Sequence, residues 1–111
     1  MLALVIPAEG KPYLQKVDGG YKELQNLVGG LIDAVNSDKA SCYVNDEGLL
    51  IGLPFNRIAS ILMGRYLVGD AVVCGDVDDD GNDTDVSDEV LNIAGWHYQT
   101  LLMHDESRVE A

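Results

Sequence analysis

The chain has 111 residues, of which 47% are hydrophobic and 23% are charged. This length and composition are typical of a globular domain and exclude a disordered chain, so we expect residues 1–111 to form a single domain. Nineteen Asp and Glu against seven Lys and Arg give a net charge of −12, which disfavours direct binding to nucleic acid or anionic membranes, since both are negatively charged.

The chain opens with a pattern that predicts a hairpin followed by a helix. Two short strand-like runs, Leu2–Ile6 and Tyr13–Val17, flank a glycine-containing turn. Apolar residues then recur at helical spacing from Asp18, a residue type that caps helices, to the Gly29-Gly30 pair, which is typical of a helix end. We predict one amphipathic helix between these signals.

The middle of the chain predicts a β-meander and a second helix. Extended runs at Leu31–Val35, Ser41–Val44 and Leu49–Ile51 are separated by polar turns. Pro54 is well suited to the first position of a helix, because the N–H that proline lacks would have no partner there. We expect this helix to end near Gly64.

The last third holds a core strand, an acidic loop and a long helix. Ala71–Cys74 is an uninterrupted apolar run, which is typical of a strand buried on both faces. The acidic loop follows at about 76–86, and Ser87 is placed to cap a helix that reaches about His104. We expect a frayed tail at about 105–111.

These elements favour an α+β fold. The favoured architecture is a two-layer sandwich, in which a mainly antiparallel sheet of five or six strands is covered by helices.

Several short segments together resemble a known family. They are Tyr21-Lys22-Glu23-Leu24-Gln25 with Val28-Gly29-Gly30, Val44-Asn45-Asp46-Glu47-Gly48, Leu53-Pro54-Phe55-Asn56 with Ala59, and Gly69-Asp70-Ala71-Val72-Val73 with Gly75. In this combination and order, about residues 2–77 resemble the "domain of unknown function 3846", small proteins carried largely by bacteriophages and mobile elements. The resemblance implies an accessory protein in the bacterial cytoplasm. It brings no catalytic residues and no established activity.

The acidic loop resembles the first half of a calcium-binding loop. Asp76, Asp78, Asp80 and Asn82 lie at alternate positions, and a glycine occupies the sixth position as in an EF-hand. The twelfth position is Ser87, where that loop needs a bidentate glutamate. The pattern leaves two interpretations open: a solvated turn, or a weak, non-standard site for calcium or magnesium. We expect no other cofactor.

Catalytic motifs are not visible in the chain. Its serines and its two cysteines, Cys42 and Cys74, lie in no nucleophile elbow and beside no recognisable base. Both cysteines occur inside apolar strand-like runs, so we expect reduced, buried thiols. Asn56 is interpreted as a local cap or backbone partner. We therefore predict a protein that is not an enzyme, although distant residues brought together by folding would escape this test.

The last helix carries more apolar surface than one core-facing side needs. Most of its apolar residues occupy about half of the helical circumference, whereas Trp96 and Met103 fall together outside that arc at 100° per residue. We therefore predict an interface formed by Trp96, Met103, Tyr98 and Leu102, since Trp and Met are enriched at interfaces. A kink at Gly95 that turns Trp96 and Met103 into the core, or isolated exposure, remains the alternative.

The functional hypothesis is a protein-binding role. The partner is a second copy of the chain or a host protein, bound through the C-terminal helix and the acidic region. One alternative is an acidic nucleic-acid mimic that occupies a host DNA-binding protein, and the other is a weak divalent-cation-binding module.

Overall fold

In a computed structural model, residues 1–18 and 20–100 are described in full, and residues 101–110 only by their place in the last helix. The five strands are β1 Leu2–Ile6, β2 Tyr13–Lys16, β3 Ile32–Asn36, β4 Ser41–Asn45 and β5 Ala71–Cys74. The three helices are α1 Tyr21–Val28, α2 Arg57–Met63 and α3 Asp88–Glu110. The predicted tail at about 105–111 lies outside the fully described residues.

The strands form one antiparallel sheet in the order β2-β1-β5-β4-β3. Leu4 of β1 lies opposite Leu14 of β2 on one side and Val73 of β5 on the other, and Val73 in turn lies opposite Cys42 of β4. The last strand in sequence is therefore the central one. The predicted α+β fold, with a mainly antiparallel sheet of five strands covered by helices, is confirmed.

Successive side chains of β5 belong to two different apolar clusters, one on each face of the sheet. Ala71 and Val73 point into the larger cluster, which the sheet forms with α2 and α3. Val72 and Cys74 point to the opposite face, where they pack with Leu24 and other residues of the smaller cluster beneath α1. Side chains of a strand alternate between the faces of its sheet, so this strand is buried on both sides, as its continuous apolar sequence predicts.

Asn56 joins three parts of the chain from inside the protein. The side-chain amide of this buried residue donates to the carbonyls of Ile6, 2.8 Å away, and Gly69, 2.9 Å away. Its Oδ1 atom accepts from the N–H of Ala59 in the first turn of α2, and its own N–H donates to Leu67. The prediction of a local cap is confirmed, and the same residue also ties α2 to β1 and to the segment before β5.

The prediction of a strand at Leu49–Ile51 is wrong. Residues 46–52 form consecutive turns, in which the N–H of Ile51 donates to Glu47 and that of Gly52 donates to Leu49. Gly52 has a φ of 74°, a left-handed conformation that glycine adopts without strain. In this run of three apolar residues between two glycines, these turn bonds replace the pairing of a strand.

Two helix starts differ from the predictions. The first helix begins at Tyr21 with Gly20 as its N-cap, whereas Asp18 lies just upstream, where its carboxylate accepts from the N–H of Gly20. The second begins at Arg57 rather than at Pro54, because the Asn56 side chain supplies the cap. The predicted helix ends at Gly29 and Gly64 are confirmed, and both glycines are left-handed.

Among the described residues, no helix combines the length and the apolar character that crossing a membrane would require.

The buried bonds of Asn56 predict a large stability effect. Asn56→Ala would leave two buried carbonyls and one helix N–H without their partner, so we expect a loss of about 2 to 4 kcal/mol in the free energy of unfolding. Urea denaturation followed by circular dichroism measures it. Asn26→Ala, at an exposed position of α1, is the matched control and should change stability by less than about 0.5 kcal/mol. Equal losses in the two variants would contradict the role of Asn56.

Candidate functional site

The acidic loop is a hydrogen-bonded turn structure that leaves the end of β5. Val77 and Asp83 form an isolated antiparallel bridge, and within it the N–H of Asp78 donates to the carbonyl of Asn82 at 2.8 Å. Gly81, with a φ of 83°, closes the turn by donating to the carbonyl of Asp78. The residues between β5 and α3 therefore follow a defined path.

Asp76 and Asp78, two of the predicted metal ligands, make different hydrogen bonds within the loop. Asp78 is directed into its own turn, where Oδ1 accepts from the N–H groups of Asp80 at 3.0 Å and Asn82 at 2.9 Å. Asp76 contributes its carbonyl, which accepts from the Thr84 hydroxyl. Where side chains are described, no group of three or more His, Cys, Asp or Glu could hold a metal ion. The weak calcium or magnesium site stays a prediction.

Two other carboxylates attach the loop to the sheet. Oδ2 of Asp83 accepts a hydrogen bond from the hydroxyl of Tyr43 on β4. Oδ1 of Asp85 accepts from the N–H of Leu2, and the N–H of Val86 then donates to the Leu2 carbonyl. Burial, and next the hydrogen bond to Asp83, raise the pKa of Tyr43 above its ordinary value. At neutral pH Tyr43 is therefore a hydrogen-bond donor that holds the loop in place.

The N-terminal half of α3 packs against the larger cluster. The Ser87 hydroxyl accepts from the N–H of Val90, so the predicted cap is confirmed. Val90 and Ala94, one helical turn apart, are almost completely buried. Tyr98, one turn further along, is partly buried against the same cluster. Of the predicted interface residues, Tyr98 therefore lies partly on the core side of the helix.

Trp96 lies on the outer side of α3. Two residues beyond Ala94, it is about 200° further around the helix, and 64% of its surface is exposed. Its ring contacts the imidazole of His97 edge to face, with 4.8 Å between ring centroids. Gly95 does not turn Trp96 into the core. The side chains of Leu102 and Met103 lie outside the described residues, so their predicted part in the interface stays a prediction.

A small groove lies between α2, α3 and the turn that connects β3 to β4. It has a volume of about 200 Å³, and its lining includes the apolar residues Ile61, Leu62, Val73 and Ile93. Lys39, from that turn, also lines it and forms an ion pair with Glu89 of α3, at 3.0 Å. The hydrogen bond to Glu89, followed by its charge, raises the pKa of Lys39. This pair links the β3–β4 turn to the first turn of α3.

The two thiols are unsuited to nucleophilic chemistry at neutral pH. Cys42 and Cys74 are free, buried and on opposite faces of the sheet. Burial above all raises the pKa of each thiol to about 12, with a smaller contribution from Cys74 at Cys42 and from Asp83 at Cys74. A thiol must lose its proton to attack, so both residues act as core side chains.

The contact that holds the acidic loop against β4 could not be predicted from the sequence. Tyr43 and Asp83 are forty positions apart, and neither belongs to a motif. The alternation of side chains along β4, which predicts that Tyr43 and Cys42 face opposite ways, is the one sequence signal that bears on this contact.

A family model described as Domain of unknown function (DUF3846) matches residues 1–102. The chain belongs to this family. The match confirms the resemblance seen in residues 2–77 and extends it through the acidic loop into α3. The part of this DUF3846 protein that carries the loop, the Tyr43 contact and Trp96 is thus included in the family domain. Comparison with curated proteins and with solved structures gives no match.

The Tyr43 contact predicts a local effect on the acidic loop. Tyr43→Phe keeps the packing of the ring and removes the hydrogen bond to Asp83, so we expect about 1 kcal/mol lower stability. We also expect faster hydrogen exchange in residues 76–86, measured by mass spectrometry. Tyr21→Phe, at an exposed position of α1, is the control and should change neither. Unchanged exchange in the loop of Tyr43→Phe would contradict the anchoring role.

The raised thiol pKa values predict alkaline instability. A group whose pKa is higher in the folded state stabilises it fully below its unfolded-state pKa, here about 9, and loses that contribution as pH rises towards about 12. Each thiol should cost about 1.4 kcal/mol per pH unit within this window. Urea denaturation at pH 7 and pH 10.5 measures the slope. The double variant Cys42→Ala/Cys74→Ala should show a shallower slope, and an identical slope would refute the assignment.

Proposed function

We propose that this DUF3846 protein is a non-enzymatic accessory protein of a bacteriophage or mobile element, which acts in the bacterial cytoplasm by binding a protein partner through α3 and the acidic loop. The observation that carries the proposal is the exposure of Trp96. The partner is a second copy of the chain or a host protein. The accessory role is what the resemblance to this family implies.

The indole of Trp96 is left uncovered by the core, so its burial by a partner would contribute to binding. Tryptophan is among the residues that contribute most when an interface buries them, because it combines a large apolar surface with one N–H donor. Trp96 is the only tryptophan of the chain, and it stands on the side of α3 opposite Ala94. A partner with an apolar pocket would cover it without disturbing the core.

The charge beside this helix favours a basic partner. From position 66 to 107 the chain has no Lys or Arg and eleven Asp and Glu. Asp88 and Glu89 lie in the first turn of α3, directly after the loop, and Glu89 is paired with Lys39 of the β3–β4 turn. Opposite charges at the rim of an interface raise the association rate and select the partner. We therefore expect a pocket for Trp96 flanked by Lys or Arg.

The test is capture of a partner that depends on Trp96. The immobilised protein would be exposed to a bacterial lysate, and any captured protein purified and titrated with the free chain. Trp96 emission should shift to shorter wavelength on binding, and Trp96→Ala should weaken binding at least about tenfold, or by about 1.4 kcal/mol. Tyr21→Ala, another exposed aromatic, is the matched control. Binding that survives Trp96→Ala unchanged would reject this surface.

The structure also offers an observation in favour of the nucleic-acid mimic. A mimic needs carboxylates held on a fixed frame, and the bonds of Asp78, Asp83 and Asp85 give the acidic loop such a frame. Charge-dominated binding weakens steeply with salt. If the captured protein is a DNA-binding protein released between about 50 and 500 mM salt, and Trp96→Ala has no effect, the mimic is the better description.

A further inference from the structure

The strand β3 leaves a row of backbone groups unpaired at one edge of the sheet. It pairs with β4 on one side, and within the described part of the chain no strand lies on its other side. The N–H of Asp46 donates to the carbonyl of Leu31 at 2.7 Å, which sets a bonded pair directly before β3. Bonded residues alternate along an antiparallel pair, so the N–H and C=O groups of three residues point away from β4: Ile32, Ala34 and Asn36.

The opposite edge of the sheet, β2, discourages the addition of another strand. Pro12 lies directly before β2, and Lys16 is its last residue. Both residue types oppose pairing at an edge, because proline has no N–H and the lysine ammonium must stay in water. Residues 31–37, which comprise β3 and one residue on each side, contain neither type. Of the two edges, β3 is therefore the one that can accept a further strand.

The charges around the β3 edge are mainly negative. Asp33 lies within β3 and Asp38 in the turn after it, while Asp46 and Glu47 follow β4 at the end where β3 begins, and all four are exposed. Arg65 is a nearby cation, whereas the lysine of the β3–β4 turn is already paired with α3. This edge therefore attracts a strand that carries Lys or Arg, and it repels a second copy with a net charge of −12.

A shallow pocket lies beside β3. It has a volume of about 100 Å³, and Asp33, Val44 and Leu49 are among its lining residues. Val35, two residues after Asp33 and therefore on the same face of the sheet, belongs to the larger cluster. An added strand would place every second side chain on this face, where the pocket offers room for one of them.

We propose that β3 binds an extended, basic segment of another protein, which joins the sheet as an additional strand. The backbone of this segment pairs with the outward groups of Ile32, Ala34 and Asn36, and one of its Lys or Arg residues lies opposite Asp33. In this mode of recognition the backbone bonds provide affinity, and alternate side chains provide specificity. The β3 edge is separate from Trp96, so the inference does not rest on the proposed function.

A synthetic peptide of alternating lysine and valine, titrated into the full chain, tests the proposal. By NMR, the amides of Ile32, Ala34 and Asn36 should exchange quickly in the free protein and become protected when the peptide binds, because the peptide supplies their acceptors. The controls are a peptide of alternating glutamate and valine and an N-methylated form of the lysine peptide. Both should bind at least about tenfold more weakly, the first through charge repulsion and the second because it has no N–H to donate.

Proline substitutions test which edge is used. Ala34→Pro removes an outward N–H from β3. Leu14→Pro is the matched control, since the bonded pair of Val17 and Met1 makes the N–H of Leu14 point outward from β2. We expect Ala34→Pro to weaken peptide binding at least about tenfold, and Leu14→Pro and Trp96→Ala to leave it unchanged. Circular dichroism checks that each variant folds.

Asp33→Lys is the second variant, since it keeps every backbone group of β3 should Ala34→Pro not fold. It replaces an attraction by a repulsion and should weaken binding of the lysine peptide at least about fivefold. No binding at about 1 mM peptide overturns the proposal. So does equal binding of the N-methylated peptide, or protection of the Leu14 and Lys16 amides instead of those of β3. Protection of the β3 amides in the free protein, with a dimer in sedimentation, would overturn it in favour of a second copy.

Discussion

The central strand β5 is buried on both faces, and the positions of the helices follow from this burial. Its four residues, Ala71–Cys74, are fully covered, two on each side of the sheet. A strand that lies between β1 and β4 and carries no polar side chain must have apolar layers above and below it. The smaller cluster under α1 and the larger cluster under α2 and α3 meet this requirement. Each helix is thereby held against the sheet.

The position of β5 also determines where the acidic loop starts. The loop begins directly after Cys74 and crosses back over Gly75, where a Cβ atom would lie only 2.3 Å from the carbonyl oxygen of Asp85. Glycine permits this close approach. Further along the loop, Asp83 accepts a hydrogen bond from the hydroxyl of Tyr43, and Asp85 accepts one from the N–H of Leu2. The acidic surface is therefore attached to the edge of the core and delivers the chain to the start of α3.

Among the described residues, several large apolar side chains remain exposed after the core is complete. Trp96 is one of them, on the outer side of α3, and Leu49, Leu50 and Ile51 form another group in the turn after β4. The charges near them differ, since α3 begins directly after the acidic loop, with Glu89 paired to Lys39, whereas Leu49 shares a pocket with Arg65, Asp33 and Asp46.

Local structure could be predicted wherever one residue type had one physical reason to be at its position. The αL glycines at the ends of α1 and α2, the Ser87 cap and the apolar β5 run follow from backbone freedom, capping chemistry and burial, and the family resemblance followed from short segments in order. The wheel of α3 correctly separated Trp96 from the buried side of the helix. Three features could be seen only in the folded chain: the exposure of Leu49–Ile51, the contact of Tyr43 with Asp83 and the three-way bonding of Asn56. These depend on groups far apart in the chain, and periodicity and propensity carry no information about which distant groups will meet.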